Sequence, residues 1–318
     1  MTVTQGDAGG PCRRCSTLGA CERDRRRRPP ALPALLRKST LGFFHPGGQE
    51  SIARHIIDLM FTTRPVIRLA LAMAAVLAPA AGASSRVMTW NVGGLPRRAL
   101  VYAPASAANS KAPLVFAFHG LGDTNDNFQG VELEKAWPQA IVVYPQGLRV
   151  LRSGAAMAGW QSEKFGDEDR DLQFVDAMLA SLHERYKVDD TRIYATGFSN
   201  GAIFTYLLWA ERPNVFAAFA AVAGRLGNSV LLTVPKPLLQ VGGKNDGNIP
   251  FALQEHAMET ARHVDGVSKG EPCGPNCTFY PSANRTPVMT FIHDGGHEWP
   301  DWTSQQIAKF FQDHPLGR

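Results

Sequence analysis

The pentapeptide Gly197-Phe198-Ser199-Asn200-Gly201 carries the most specific chemistry in the chain. It directly follows the apolar run RIYAT and directly precedes the helix-prone stretch AIFTYLLWAERP, so Ser199 falls on a strand-to-helix turn. Such a turn is too sharp for side chains at the two glycine positions, and it holds the serine hydroxyl exposed beside a helix N-terminus. A tight turn with an idle serine is the plain alternative. A hydroxyl is a poor nucleophile until a base takes its proton. His297 suits that role, in the loop Gly295-Gly296-His297-Glu298-Trp299-Pro300 beyond the apolar run VMTFIH. His293, which ends that run, is the rival and is better suited to packing within a sheet. An acid is expected between nucleophile and base, and VGGKNDGNIP supplies Asp246 three residues after Gly243. There it would fix the imidazole tautomer and stabilise the imidazolium; a turn-capping aspartate is the alternative. Asp265 lies in an unassigned stretch, and Asp294 is too close to His297 in sequence to face it easily. The three side chains together point to acyl transfer through a covalent intermediate.

Negative charge developing on a carbonyl oxygen needs donors already in place, and backbone amides need no reorganisation. Two positions suggest themselves: the amide of Asn200, next after the nucleophile, and the amide of Leu121 in His119-Gly120-Leu121-Gly122. His119 is read as bracing that loop.

These residues need a frame. RVMTW and RRALVYAP flank Gly93-Gly94 and read as an antiparallel hairpin. Residues 112–118, 140–145, 192–196, 217–224, 237–243 and 288–293 are short, nearly continuous apolar runs, the signature of strands buried on both faces. Leu172, Val175, Met178, Leu179 and Leu182 recur at helical spacing within residues 171–186, and a final helix fits residues 303–313. The alternation predicts an α/β fold, a mostly parallel sheet with helices on both faces and reactive groups at the carboxyl ends of its strands.

The 318 residues carry a formal charge of +5, unevenly spread. Residues 1–68 hold twelve Lys/Arg against five Asp/Glu, leaving 21 against 23 in the remainder. The candidate folded part is therefore nearly neutral, which argues against a nucleic-acid partner. From Met60, two arginines (Arg64, Arg68), an apolar run at residues 69–76 and Ala81-Gly82-Ala83 have the anatomy of a secretory signal peptide, with cleavage expected after Ala83. The apolar run is too short to cross a bilayer comfortably. The Arg-rich residues 1–59 are read as a non-native or disordered leader ahead of a start at Met60; a membrane anchor with a basic cytoplasmic tail is the alternative. The expected organisation is a signal peptide at 60–83 and one catalytic domain at 84–318, secreted or periplasmic, with no stable membrane insertion after cleavage. Cys273 and Cys277 sit in the loop EPCGPNC, where an oxidising compartment allows a small disulfide ring and two free thiols are the alternative.

The set FHGLGD, YPQG, GW, ATGFSNGA, the glycine-rich Asp loop and GGHEWP resembles the feruloyl and acetylxylan esterases and the related polyhydroxybutyrate depolymerases, over residues 86–318. The resemblance implies a single-domain α/β-hydrolase fold and a secreted carboxylic ester hydrolase with no metal or organic cofactor. Its triad falls on Ser199, Asp246 and His297, and it puts Trp160 and Trp299 near the substrate cleft. With Phe198, these rings would suit a phenolic acyl group or a sugar face. The expected substrate is a small or oligomeric ester, and the expected state is a monomer. The Asp loop reads Gly242-Gly243-Lys244 where the family often has His-Gly before the acid. A peptidase on the same fold and a catalytically inactive binding module are the rival readings. The first normally carries a lid domain, for which there is little room, and the second normally lacks a triad member or an elbow glycine.

Overall fold

Gly93 and Gly94 both take positive φ, and so turn β1 (Ser84–Val92) back on β2 (Leu95–Ala103) as an antiparallel hairpin. The computed structural model describes residues 84–152 and 154–317; the early start, the leader and the signal peptide lie outside them. β3 (Ala112–Phe118) is buried along its whole length, as an all-apolar run should be. The short helices α1 (Asn125–Phe128) and α2 (Leu133–Ala136) lead to β4 (Ile141–Pro145). β5 (Leu148–Arg152) and β6 (Ala155–Gly159) form a separate ribbon. Then α3 (Arg170–Arg185), β7 (Val188–Phe198), α4 (Asn200–Glu211), β8 (Ala218–Val222), β9 (Leu238–Gly243) and α5 (Phe251–Val264) alternate. β10 (Glu271–Gly274), β11 (Cys277–Tyr280), β12 (Val288–His293) and α6 (Thr303–Asp313) complete the described chain.

Ten strands join one sheet in the order β1-β2-β4-β3-β7-β8-β9-β12-β11-β10. The six from β4 to β12 in that order run parallel, and an antiparallel hairpin extends each edge. The two-residue period of a strand divides the core into two layers. Leu114, Phe116 and Phe118 pack with buried residues of α3, α4 and α5, whereas Val115 and Ala117 pack on the other face with Ile307, Phe310 and Phe311 of α6. α4 is buried on all sides at its N-terminal ten residues, which seats the helix after Ser199 in the core of the described fold.

The hairpin and the six apolar runs of the sequence all become strands of this sheet. Three elements differ from the sequence reading. EPCGPNC forms the β10–β11 hairpin, closed by a Cys273–Cys277 disulfide with Cα atoms 5.1 Å apart; its prolines and glycines mark a turn and conceal the short strands on either side. The β5–β6 ribbon is half-wet and weakly patterned, and α5 carries Asp265 at its C-terminal end. Among the described residues no helix is long and apolar enough to cross a membrane.

Two buried carboxyl groups tie the frame together. Arg97 of β2 meets Asp171 of α3 at 2.7 Å with both side chains fully buried, and the Asp171 carboxylate also accepts the Gln161 amide at 2.9 Å. Asp265 is buried beside the Lys236 amide, which donates to its Oδ1 at 2.8 Å. Burial outweighs the hydrogen bonds it accepts and raises its pKa to about 7. The folded state therefore holds a proton that the unfolded state has released above pH ~4, so stability falls as pH climbs to about 7 and then levels off. At 1.36 kcal/mol per unit this contributes at most about 4 kcal/mol. Asp265→Asn keeps the Oδ1 acceptor and removes the titration. Its melting temperature is expected to gain on wild type from pH ~4 to about 7 and to hold that gain above it; parallel curves would refute the assignment.

Candidate active site

The carboxyl ends of the parallel strands bring the reactive residues together, as an open α/β sheet dictates. Ser199 follows β7, Leu121 follows β3, Asp246 lies three residues beyond β9 and His297 four beyond β12. At Ser199 the backbone sits at φ 55° and ψ −115°, a conformation costing roughly 1–3 kcal/mol for a residue with a side chain. It is held by the Ser199 amide donating to the Val222 carbonyl of β8 at 2.9 Å and by the Ile203 amide donating to the Ser199 carbonyl at 3.0 Å. The flanking glycines are required by space. A Cβ on Gly201 would lie 2.1 Å from the Phe118 carbonyl oxygen, and one on Gly197 would lie 2.4 Å from the Gly201 carbonyl.

The Ser199 hydroxyl, nearly buried, lies 2.8 Å from His297 Nε2, and His297 Nδ1 lies 2.8 Å from Asp246 Oδ2. Asp246 also accepts Gln254 Nε2 on Oδ2 at 2.9 Å, and the amides of Asn248 and Ile249 on Oδ1, each at 2.8 Å. Burial alone would raise this carboxyl, but the His297 hydrogen bond and the two amides prevail and hold it below its ordinary value. Asp246 thus stays ionised, and its charge favours the imidazole tautomer with a proton on Nδ1 and a free lone pair toward the serine. The Asp246 and His297 loops are joined: Lys244 N–H donates to the His293 carbonyl at 2.9 Å, Asn245 N–H to the Gly295 carbonyl at 3.0 Å, and Lys244 Nζ pairs with Asp294 at 2.8 Å.

A hollow of about 740 Å³ opens over the serine, within the range of small-molecule sites. Leu121, Phe198, Ser199, Asn200 and His297 all line it, and the Phe198 ring lies 4.8 Å from the imidazole centroid. Neither the Leu121 nor the Asn200 amide donates to an acceptor among the described residues. His119 is buried behind this loop, with Nδ1 2.7 Å from the Gly120 carbonyl and Nε2 accepting the Gly147 amide at 2.9 Å. Burial lowers its pKa, consistent with a neutral bracing ring.

The two tryptophans are not brought to the hollow. Trp160 is wholly buried beneath it, its indole N–H donating to the His119 carbonyl at 2.9 Å and its ring stacked on Phe204. Trp299 turns away against Phe128, donates to Ser304 Oγ at 3.1 Å and borders a separate hollow. Both indoles find their polar partner inside the fold, which removes them from a wet cleft. Two side chains that the sequence reading passed over support the site. Gln254 of α5 braces the acid, and the Asn200 side chain clamps the Trp160 backbone through Oδ1 and Nδ2, at 2.7 and 3.1 Å. A polar residue on the buried face of a helix was the available signal for Gln254. Among the described residues no cluster of His, Cys, Asp and Glu could hold a metal ion.

A family model described as esterase PHB depolymerase matches residues 98–260, half of the chain and the span from β2 into α5. The bifunctional acetylxylan esterase/xylanase of Neocallimastix patriciarum is 29% identical over 176 residues, covering 53% of this chain and 24% of that protein. Feruloyl esterase C of Emericella nidulans is 28% identical over 189 residues, covering 56% of this chain and 63% of that protein. The chain thus spans about a quarter of the first relative and less than two thirds of the second. The solved acetyl xylan esterase from Aspergillus awamori superposes with a TM-score of 0.54 at 16% identity, over 72% of this chain and 99% of that one. This likeness shows the α/β-hydrolase fold.

Proposed function

Because the chain belongs to the PHB-depolymerase esterase family, we propose that this carboxylesterase works as a serine hydrolase through an acyl-enzyme on Ser199, with His297 as base and Asp246 as its orienting carboxylate. The observation that carries this reading is the unbroken relay, 2.8 Å at each step, from Ser199 Oγ through the imidazole to Asp246. His297 Nε2 takes the serine proton as Oγ attacks the ester carbonyl. The oxyanion is received by the Leu121 and Asn200 amides, which have no competing acceptor among the described residues. His297 then returns the proton to the leaving alcohol, and a water activated by the same nitrogen releases the acid. Phe198 flanks the imidazole and offers an apolar wall to the acyl group.

The substrates we infer are feruloyl or acetyl esters of plant polysaccharide, or short hydroxyalkanoate esters. The acetylxylan and feruloyl esterase relatives support the first class and the family description the second. Export is inferred with them: the signal peptide expected at residues 60–83 and the disulfide of the β10–β11 hairpin fit an oxidising destination, with residues 84–318 as one catalytic domain.

A fluorophosphonate probe tests the relay without any choice of substrate. One label per chain is expected, on the peptide that contains Ser199. An unlabelled protein would make an inert binding module the better reading.

A further inference from the structure

Arg225 is the one cation on the wall of the catalytic hollow whose charge the described residues leave unanswered. It lies just beyond β8, half-buried, on the same hollow as Ser199 and His297. The backbone leading to it is firmly seated. Ala223 N–H donates to the Val241 carbonyl at 2.9 Å, Gln240 Nε2 donates to the Gly224 carbonyl at 3.2 Å, and a Cβ on Gly224 would lie 2.4 Å from the Ala202 side chain of α4. Arg225 Nη1 is spent on two neutral acceptors, the Leu226 carbonyl at 2.7 Å and Asn228 Oδ1 at 3.2 Å. No carboxylate among the described residues pairs with it. The one carboxylate that lines the hollow, Asp123, accepts the Thr124 amide and Asn127 Nδ2 of its own loop, each at 2.8 Å, and forms no ion pair with Arg225.

A guanidinium braced by neutral groups in a small-molecule cleft keeps its full charge for the ligand, and its fork geometry matches a carboxylate. A neutral sugar or phenolic ester can accept its N–H donors but leaves its charge unmatched. We propose that Arg225 is a specificity-determining residue that selects esters bearing a free carboxylate, as the acid end of a short hydroxyalkanoate oligomer does. This rests on the hydrolase reading above and narrows its substrate class. Cleavage adds one water across the ester bond of a hydroxybutyrate dimer and releases two hydroxy acids, one of them carrying the carboxylate that Arg225 held.

The test compares the dimer as free acid with its neutral primary amide, each followed by product release. Wild type is expected to prefer the acid by about tenfold in kcat/KM, expressed mainly in KM, the scale of one charge-assisted contact in a partly solvated cleft. Arg225→Gln should bring the acid-to-amide ratio close to one, Arg225→Lys should keep part of the preference, and about 0.5 M salt should weaken it in wild type. A ratio near one in wild type, or the same ratio in wild type and Arg225→Gln, overturns the role of Arg225. Wild type cleaving p-nitrophenyl acetate in the same assay keeps the hydrolase reading standing in that case; wild type inert toward it overturns both.

Discussion

Ser199→Ala is expected to lower kcat for p-nitrophenyl acetate by roughly 10⁴- to 10⁶-fold, the range seen when the nucleophile of a serine triad is removed. The fold should stay intact. The substitution removes one nearly buried oxygen and one hydrogen bond to His297, while the amide and carbonyl that seat the elbow keep their partners at Val222 and Ile203. An alanine at φ 55° is strained as the serine is, so the melting temperature should move by about 2 °C at most. The residual rate measures what the proposed oxyanion donors, the Leu121 and Asn200 amides, do without a nucleophile. Equal turnover by wild type and variant would mean that hydrolysis occurs elsewhere on the protein, and the triad assignment would fall.

Gly201→Ala tests the elbow rather than the nucleophile, and its effect on stability is expected to be the larger. The added methyl would lie 2.1 Å from the Phe118 carbonyl oxygen, 2.6 Å from the Phe118 carbonyl carbon and 2.7 Å from the His119 carbonyl oxygen. All three are backbone atoms at the end of a buried strand, so no side chain can swing aside. α4 must lift from β3. Overpacking of this kind costs about 1–3 kcal/mol or more, which in a domain of this size lowers the melting temperature by several degrees, roughly 2–4 °C per kcal/mol. The same displacement moves Ser199 from its 2.8 Å contact with His297, and misplacement of about 1 Å in such a relay costs about 10²-fold in rate. Gly130→Ala is the matched control, because a Cβ there meets nothing within 4 Å. Thermal melts together with p-nitrophenyl acetate rates decide the matter, and a Gly201→Ala protein as stable and active as the control would refute the close-approach argument.

Local order in the chain made the elbow readable. The strand before Ser199, the helix after it and the two glycines lie within some twenty residues, and each contributes a signal of its own. The acid and base were readable one step less directly, through their position after apolar runs that become β9 and β12. The tryptophans were not readable in this way. Their placement came from the family resemblance, which says nothing about which side of a loop the ring occupies, and Trp160 is drawn inward because its N–H finds the His119 carbonyl while its ring finds Phe204 and Phe118. Gln254 escaped notice because its partners, Asp246 and the Ile249 carbonyl, depend on how α5 folds back under the acid loop. The β10–β11 hairpin was hidden because Pro and Gly dominate its composition while backbone pairing and the disulfide define its structure.

The ladder that joins the Asp246 and His297 loops gives them a shared fate. Two backbone hydrogen bonds and the Lys244–Asp294 pair stitch residues 244–245 to residues 293–295, so acid and base form a single mechanical body that sits opposite the elbow. Heat or denaturant that frees one loop must free the other, and amide exchange across both should report one common opening event. The orientation of His297 to Asp246 is then a property of the resting protein, in place before any ester arrives, and substrate binding has only the Ser199 side of the cleft left to adjust.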